Sequence, residues 1–289
     1  MEMKTVADFL RRFSLAVRLK RLVWPMDDGV TGKSSLNIVK SFPQFAPYSS
    51  GSYKQRSELT IEAINSLMGC LKDLLASLGK LEIRAHPITT APQTQKEILS
   101  AERLRVLFDH YGSDKAAHAY HYLYGKILND PDAVNRILEV GLGTNQIDVV
   151  SNMGPTGKPG ASLRAFQEHC INASLFGADV DRRILFEEAR IKTFFVDQTR
   201  YETFEALRSN IGFCDFDLII DDGLHSPHAN LITLQFSLSA LKRGGWLVIE
   251  DIGPDSLTIW QVIGTFLSPY YEVHMYFAEP NYVFAVRKS

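Results

Sequence analysis

"RILEVGLGTN", at residues 136–145, is an apolar run that ends in an acid and two closely spaced glycines. Its first five residues have the length and composition of a buried strand. Gly141 and Gly143 then permit a tight turn and a close approach of the backbone to a ligand. The stretch therefore predicts a strand followed by a ligand-binding loop.

Apolar runs and helical patterns alternate from this point onward. The apolar runs are "RILEVG", "ASLFGADV", "TFFVDQ", "FDLIIDD" and "GGWLVIED". The segments between them, with helical patterns, are "GASLRAFQEHC", "RRILFEEAR", "YETFEALRSN" and "SPHANLITLQFSLSALKRGG". This alternation predicts an α/β fold in which helices cover both faces of a mostly parallel sheet.

The end of the chain departs from the alternation. The runs "YYEVHMYFAE" and "YVFAVRKS" are separated only by Pro280 and Asn281. So short a link permits a hairpin but not a crossover, and the last strand should run antiparallel to its neighbours. In such a sheet, ligands bind beyond the carboxyl ends of the parallel strands.

The N-terminal part of the chain has a mostly helical sequence pattern. A long loop rich in Ser, Gly and Pro follows the first of four predicted helices, which cover about residues 4–22, 57–80, 95–109 and 116–128. The sequence therefore predicts a mostly helical auxiliary region over residues 1–128, for substrate binding or oligomerisation, and a ligand-binding α/β domain over residues 129–289.

Composition excludes several classes of partner and location. The 289 residues carry a net charge of −2, which gives no reason to expect a nucleic-acid partner. No apolar run reaches the roughly 18 residues of a membrane span. Cys70, Cys170 and Cys214 lie far apart and form no disulfide framework, so a reducing cytoplasmic setting is expected. The basic, amphipathic N-terminus suggests a helix that packs within the protein or on another subunit, with a membrane-surface helix as the alternative.

The glycine loop and the acids that end the strands resemble those of class I S-adenosylmethionine methyltransferases. The loop fits the pattern ExGxGx(G/N), whereas a nicotinamide-binding loop would have glycine in place of Gln146. Asn145 stands where a third glycine is common. Asparagine can replace glycine at such a position because it tolerates the left-handed backbone conformation. The resemblance implies a Rossmann-like sheet and assigns to the cofactor Glu139, Gly141, Gly143, Asn145, Asp179 (ribose hydroxyls), Asp197 (adenine amino group), Gln198 and Asp221. The alternatives are a loop without a ligand and acids that cap helices.

Two further strand ends carry the acids that indicate a metal. "DLIIDDGLHSP", residues 217–227, and "GGWLVIED", residues 244–251, should form neighbouring strands about 4.8 Å apart. Asp222, Glu250 and Asp251 would then converge and repel one another unless a cation joins them. Oxygen ligands suit Mg²⁺ or Mn²⁺. Gly223 would let His225 turn back over the site. The alternative is a strand-end cap with a buried, satisfied Asp–His pair.

The spacing DDGxH followed by ED resembles the metal-dependent sugar O-methyltransferases of the macrocin and mycinamicin type. The segments "YGSDKAAHAYHYLY" at 111–124 and "MGPTGKPGASLRAF" at 153–166 support this resemblance. Leu224 stands where the family usually has serine. The resemblance implies that Asp222, Glu250 and Asp251 hold Mg²⁺ while His225 acts as the general base, so that Asp222 also belongs to the catalytic pair.

The segment at 111–124 adds candidates with open alternatives. His118 and Tyr120, with His121 and Tyr124, would form a pocket wall over cofactor or sugar, or else pack between the two parts of the chain. Lys115 would bind the cofactor carboxylate, or else be a surface lysine in a turn.

The sequence thus predicts a cytoplasmic S-adenosylmethionine-dependent, Mg²⁺-dependent O-methyltransferase. Its acceptor would be a small glycoside from natural-product (antibiotic) or surface-glycan synthesis. The protein would be a dimer or a tetramer. A catechol or other diol is the alternative acceptor. A non-catalytic cofactor-binding protein is the alternative outside enzymes.

Overall fold

The computed structural model describes residues 53–80, 83–212 and 215–289. The chain divides into two compact units, of which the smaller comprises Met1–Leu74 with Asp148–Val150 and the larger comprises Leu75–Ile147 with Ser151–Ser289. Every predicted site residue lies in the larger unit. The predicted helix over 4–22, the loop that follows it up to residue 52, and Cys214 lie outside the described residues.

The described chain begins with a long helix, α1, which covers Tyr53–Ser77. The sequence predicted this helix from residue 57, four residues after its actual start. Helix α1 ends at Ser77 and is followed by Gly79, where φ is +66°, while the amide of Lys80 donates to the carbonyl of Leu75. Such a left-handed glycine commonly ends a helix. No described helix combines the length and apolarity that a bilayer crossing requires.

The larger unit is built on a mixed sheet with the order β1-β8-β9-β7-β6-β2-β3-β5-β4 in the described residues. Its strands are β1 Ala85–Pro87, β2 Arg136–Val140, β3 Ser174–Asp179, β4 Glu187–Glu188, β5 Ile191–Phe195, β6 Phe216–Asp221, β7 Leu241–Ile252, β8 Tyr271–Ala278 and β9 Asn281–Lys288. The five predicted strands β2, β3, β5, β6 and β7 pair in parallel. Strand β9 runs antiparallel to β7 and to β8, which confirms the predicted hairpin and reversed last strand.

In the described part of this unit, six α-helices pack against the sheet or beside it. They are α2 Gln95–Tyr111, α3 His121–Ile127, α4 Ala161–His169, α5 Tyr201–Ile211, α6 Pro227–Ala240 and α7 Leu257–Leu267. Strand β6 shows why both faces are covered: Leu218 and Ile220 join the core under α2, α3 and α4, and Ile219 joins the core under α5, α6 and α7. Successive side chains of a strand point to opposite faces, so a wholly apolar strand needs helices on both.

Helices α2 and α3, which the sequence assigned to the auxiliary region, belong to the same compact unit as the sheet. Helix α2 begins with a capping box, in which Thr94 and Glu97 bind each other's backbone amides, and ends at Gly112 with φ +78°. Its buried Leu104 and Phe108 contribute to the core on one face of the sheet. The functional division at residue 128 remains a prediction.

Two predicted helices differ from the structure. The segment "RRILFEEAR" forms a short 3-10 turn, Arg182–Ile184, and then the edge strand β4. The turn is held by Asp181, whose side chain accepts from the amide of Arg183, and Thr193 of β5 pairs with Phe186 through backbone and hydroxyl. The expected helix over 116–128 begins only at His121, because Ala119 adopts a left-handed φ of +61° and interrupts it.

Candidate active site

Acidic side chains gather at the carboxyl ends of three adjacent parallel strands, β2, β6 and β7. The register pairs Val140 with Asp221 and Asp221 with Ile249, so that the next residues of β6 and β7 also lie side by side. The ammonium Nζ of Lys115 joins them, at 2.6 Å from Asp222 Oδ2 and 2.5 Å from Glu250 Oε2. The structure thus brings together the two strand ends that the sequence placed at one point.

Asp222, His225 and Asp251 form the part of this cluster that faces a cleft. Each offers one ligand atom, and these atoms all lie within 4.8 Å of one another. His225 Nε2 is 4.0 Å from Asp222 Oδ1. The two carboxylates at this spacing offer the oxygen ligands that a hard divalent cation prefers, and the imidazole lies beside them.

Asp251 is fixed from two sides. Its Oδ1 accepts hydrogen bonds from the hydroxyl of Tyr120, at 2.6 Å, and from Asn281 Nδ2, at 3.0 Å. Burial alone would raise the pKa of Asp251, but these hydrogen bonds and the nearby His225 hold the pKa below its ordinary value. The carboxylate is therefore kept ionised and oriented.

The backbone at both strand ends is unusual. His225 has φ +52° and Asp251 has φ +54°, in the left-handed region that residues other than glycine rarely adopt. Such conformations persist where the surrounding structure fixes them, and they concentrate at functional sites. The backbone conformation thus supports the predicted roles of these two residues.

The turn that carries His225 is held by Gln198 and Asp221. Gln198 Nε2 lies 2.5 Å from Asp221 Oδ1, and the amide of Leu224 donates to Gln198 Oε1 at 2.9 Å. A Cβ on Gly223 would collide with the same Gln198 carboxamide. Gln198 and Asp221, which the sequence assigned to the cofactor, are both buried and contact each other. Their observed contacts hold the turn in place.

Lys115 is buried, with 1% of its surface exposed. The predicted alternative of a surface lysine is therefore wrong. Burial alone would lower the pKa of Lys115, but the carboxylates of Asp222, Glu250 and Glu139 raise this pKa well above its ordinary value. The predicted partner of Lys115, a cofactor carboxylate, would have to compete with three protein carboxylates.

Glu139, at the end of β2, lies beneath Lys115. Its Oε2 accepts from Ser162 Oγ at 2.6 Å, and its Oε1 is 3.3 Å from Lys115 Nζ. Glu139 is fully buried, and this burial raises its pKa to about 7. The acid therefore supports the cluster from the inside, and its contact with a cofactor stays a prediction.

Tyr120 and Tyr124 point their hydroxyls at two acids of the cluster. Tyr124 donates to Glu250 Oε1, and Tyr120 donates to Asp251 Oδ1. Tyr124 also packs edge-on against Phe108 and Phe166, at ring-centroid distances of 6.3 and 5.1 Å. Packing and polar contact thus coexist at Tyr124. Half-buried His118 lies 5.6 Å from the Tyr120 ring, and contact of His118 or Tyr120 with a substrate stays a prediction.

An open cleft of about 250 Å³ joins the acidic cluster to the glycine loop. Its walls include Ser113, Gly141–Gly143, Met153, Lys158, Ser162, Asp222, His225 and Asp251. Gly141 and Gly143 have φ of +96° and +76°, as a tight loop requires. Asn145 does not adopt a left-handed conformation; its Oδ1 accepts from Gln146 Nε2 at 3.1 Å.

The acids that end β3 and follow β5 organise neighbouring loops. Asp179 accepts from the amides of Leu142 and Asp181, both at 2.8 Å, and burial raises its pKa. Asp197 Oδ1 accepts from the amide and the hydroxyl of Thr199, at 3.0 and 2.7 Å. Asp179 thereby ties the glycine loop to β3. Contacts of Asp179 and Asp197 with a cofactor stay predictions.

Known proteins resemble this chain in sequence. It is 28% identical over 145 residues to the 8-demethyl-8-alpha-L-rhamnosyl tetracenomycin-C 2'-O-methyltransferase of Streptomyces olivaceus, across 49% of this chain and 35% of that protein. It is 29% identical over 117 residues to the demethylmacrocin O-methyltransferase of Streptomyces fradiae, across 40% of this chain and 27% of that one. The match spans about a third of the length of these relatives, and no family profile matches the chain. The predicted resemblance to macrocin-type O-methyltransferases is confirmed.

Solved structures resemble the fold. The MycE methyltransferase from the mycinamycin biosynthetic pathway, in complex with Mg and SAH, superposes with a TM-score of 0.53 at 22% identity. The match covers 65% of this chain and 55% of that one. A complex of the same methyltransferase that also contains mycinamycin VI gives a TM-score of 0.52. The fold is therefore that of the class I S-adenosylmethionine methyltransferases, as predicted.

Proposed function

We propose that the chain is an S-adenosylmethionine-dependent, Mg²⁺-dependent O-methyltransferase that methylates a sugar hydroxyl of a natural-product glycoside or a surface glycan. The observation that carries the proposal is the cleft in which the glycine loop meets Asp222, His225 and Asp251. Two sequence relatives are O-methyltransferases by name, which supports this reaction, and the name of one includes a rhamnosyl group, which supports this acceptor class.

The cleft fits an amino-acid nucleoside. Gly141 and Gly143 line the cleft, and Asp179 holds the loop through the amide of Leu142. Since the ammonium of Lys115 is engaged by three carboxylates, we assign the cofactor carboxylate to Lys158, a lysine that also lines the cleft. A lysine ammonium attracts a carboxylate as a point charge.

The charge of the cluster fits a divalent cation. Glu139, Asp222 and Glu250 surround the ammonium of Lys115, and Asp251 lies close to Asp222, so carboxylates outnumber the ammonium. Buried carboxylates in excess require either protons or a cation. Asp222 and Asp251 face the cleft and would hold Mg²⁺ or Mn²⁺, together with Glu250. When bound, such an ion supplies Lewis acidity that lowers the pKa of an acceptor hydroxyl.

His225 accepts the proton of the acceptor hydroxyl in this proposal. Its side chain lies at the cleft, and its Nε2 is 4.0 Å from Asp222 Oδ1. A histidine can take up a proton near neutral pH. As the proton leaves, the hydroxyl oxygen forms a bond to the methyl carbon while the carbon–sulfur bond breaks. The walls of the cleft contribute by aligning oxygen, carbon and sulfur.

The two alternatives are less well supported. A catechol acceptor would use a similar metal site, but the Streptomyces olivaceus relative is named for a rhamnosyl compound. A non-catalytic cofactor-binding protein has no use for two left-handed residues, His225 and Asp251, beside three other carboxylates. We retain a cytoplasmic location and a dimer or tetramer as parts of the proposal, and sedimentation of the purified chain would test the oligomeric state.

The proposal is tested by incubating the full chain with S-adenosylmethionine and two acceptor panels, one of rhamnosyl and macrolide glycosides and one of catechols. Methylated product is measured by mass spectrometry with Mg²⁺ and after chelation. Magnesium-dependent methylation of a glycoside supports the proposal. Methylation of catechols alone would favour the first alternative, and binding of cofactor without turnover on any acceptor would favour the second.

A further inference from the structure

Lys115 lies between Asp222 and Glu250, two of the residues that would hold the proposed metal ion. Its Nζ lies 2.6 Å from Asp222 and 2.5 Å from Glu250, and both residues are proposed metal ligands. An ammonium and a divalent cation cannot share one gap, because like charges at such distances repel strongly. Either Glu250 is never a ligand, or the ammonium moves when the metal binds.

We propose that Lys115 is a displaceable internal counter-ion, which holds Asp222 and Glu250 together before the metal arrives and competes with it for both. On metal binding, its ammonium shifts to Glu139. This inference rests on the proposed function and names a positioning residue of the same site.

The need for an internal cation follows from burial. Glu250 and Glu139 are 1% and 0% exposed, and Asp222 has 24% of its side chain exposed. Carboxylates buried so deeply without a cation would repel one another and lose solvation. Lys115 supplies the positive charge, and its backbone is anchored by Ser113 and by the amide of Tyr120. A lysine side chain has the rotatable bonds to relocate its ammonium from a fixed backbone.

Glu139 provides the second position for this ammonium. Its Oε1 is 3.3 Å from Nζ, and among the described residues it has no hydrogen-bond partner. Ser162 holds the other oxygen. A shift of Nζ toward Glu139 would therefore shorten this ion pair and release Asp222 Oδ2 and Glu250 Oε2. Tyr124 remains on Glu250 Oε1 and keeps that carboxylate in place.

A permanent structural salt bridge is the competing explanation. The two explanations predict opposite effects of removing Lys115 on the affinity for the metal. If Lys115 competes with the metal, its removal tightens metal binding. If Lys115 only holds the acids in position, its removal loosens them and weakens metal binding.

The test uses the chelator-treated full chain and measures Mn²⁺ and Mg²⁺ binding by calorimetry, with thermal melting alongside. We expect Lys115→Met to bind Mn²⁺ at least tenfold more tightly than the wild type. In chelator this variant should melt at a lower temperature than the wild type. Added Mn²⁺ should raise its melting temperature by more than it raises that of the wild type. Lys115→Arg keeps the charge and should bind Mn²⁺ no more tightly than the wild type. Lys192→Met is the matched control, because Lys192 is exposed and pairs with Glu187 on the edge strands.

A second comparison remains informative if Lys115→Met does not fold. Lys115→Gln/Glu139→Gln removes the ammonium and one carboxylate together and so keeps the net charge of the cluster. It should bind Mn²⁺ more tightly than Glu139→Gln alone, in which the displaced ammonium has lost its second position. Unchanged or weaker Mn²⁺ binding in both comparisons would overturn the competition while leaving the proposed function intact. A wild-type chain that binds no divalent cation would overturn both.

Discussion

A Cβ on Gly141 would collide with the backbone carbonyl of Asp222, so the glycine loop and the metal-side turn lie in direct backbone contact. The amide of Asp222 donates to the carbonyl of Val140 at 2.8 Å, which fixes the same contact from the other side. The residues assigned to the cofactor and those assigned to the metal therefore form one backbone unit. A change in the glycine loop must reach the acid cluster.

Gly141→Ala should consequently damage both halves of the site. The φ of +96° is unfavourable for alanine by about 1–2 kcal/mol, and the collision with Asp222 adds to that cost. We expect a lower melting temperature and at least a tenfold loss of S-adenosylhomocysteine affinity by calorimetry. Gly212→Ala is the matched control, since Gly212 has φ +80° with no atom within 4 Å of an added Cβ. Equal loss of affinity in both variants would contradict the assignment.

His225→Ala should separate turnover from cofactor binding. Removal of a general base typically costs 10²–10⁴-fold in rate. We expect a loss of about this size in kcat, with S-adenosylhomocysteine affinity changed by less than about threefold, because no cofactor contact is assigned to the imidazole. His228→Ala, three residues away and exposed in the first turn of α6, is the control and should keep its activity. Similar losses in the two variants would show that His225 is not the base.

Lys158→Met tests the contact to the cofactor carboxylate without relying on turnover. We expect about tenfold weaker binding of S-adenosylhomocysteine, because a charge-assisted contact is lost. Binding of methylthioadenosine, which lacks the amino-acid carboxylate, should be unchanged. If Lys115→Met shows this selective loss and Lys158→Met does not, the carboxylate belongs to Lys115, as the sequence first suggested.

The sequence predicted the sheet because its signal is local. Each of the five predicted parallel strands is a short apolar run with an acid at or just after its end, and the two-residue link at Pro280 permits only a hairpin. The helix predicted for the segment "RRILFEEAR" was wrong because the conformation of this segment depends on a contact outside it. Its charged and apolar residues have helical spacing, but its conformation depends on pairing with Thr193 on the next strand.

The site shows the same division between local and distant contacts. Asp222, His225 and Asp251 could be found, since strand-end acids and a flanking glycine are visible in the sequence. The environment of Lys115 could not be predicted from the sequence, because its partners Asp222 and Glu250 lie 107 and 135 residues further along the chain. The available signal was an excess of acids at the strand ends, which requires a positive partner without naming it.

His169 should make the stability of the fold depend on pH below neutrality. Burial lowers its pKa from the ordinary value of 6.5, and its Nε2 lies 3.1 Å from both the carbonyl of Leu128 and the hydroxyl of Ser100. Because the folded chain binds the proton less readily than the unfolded chain, the stabilisation is complete above about pH 6.5 and is lost as the pH falls toward the lowered folded pKa. We therefore expect His169→Gln to melt at a lower temperature than the wild type at pH 7.5. The difference between the two melting temperatures should shrink at pH 5.5, because His169 of the wild type then takes up a proton on unfolding.

His228→Ala, with an exposed imidazole, should keep the wild-type slope of melting temperature against pH. A wild-type slope in His169→Gln would show that His169 does not set this dependence.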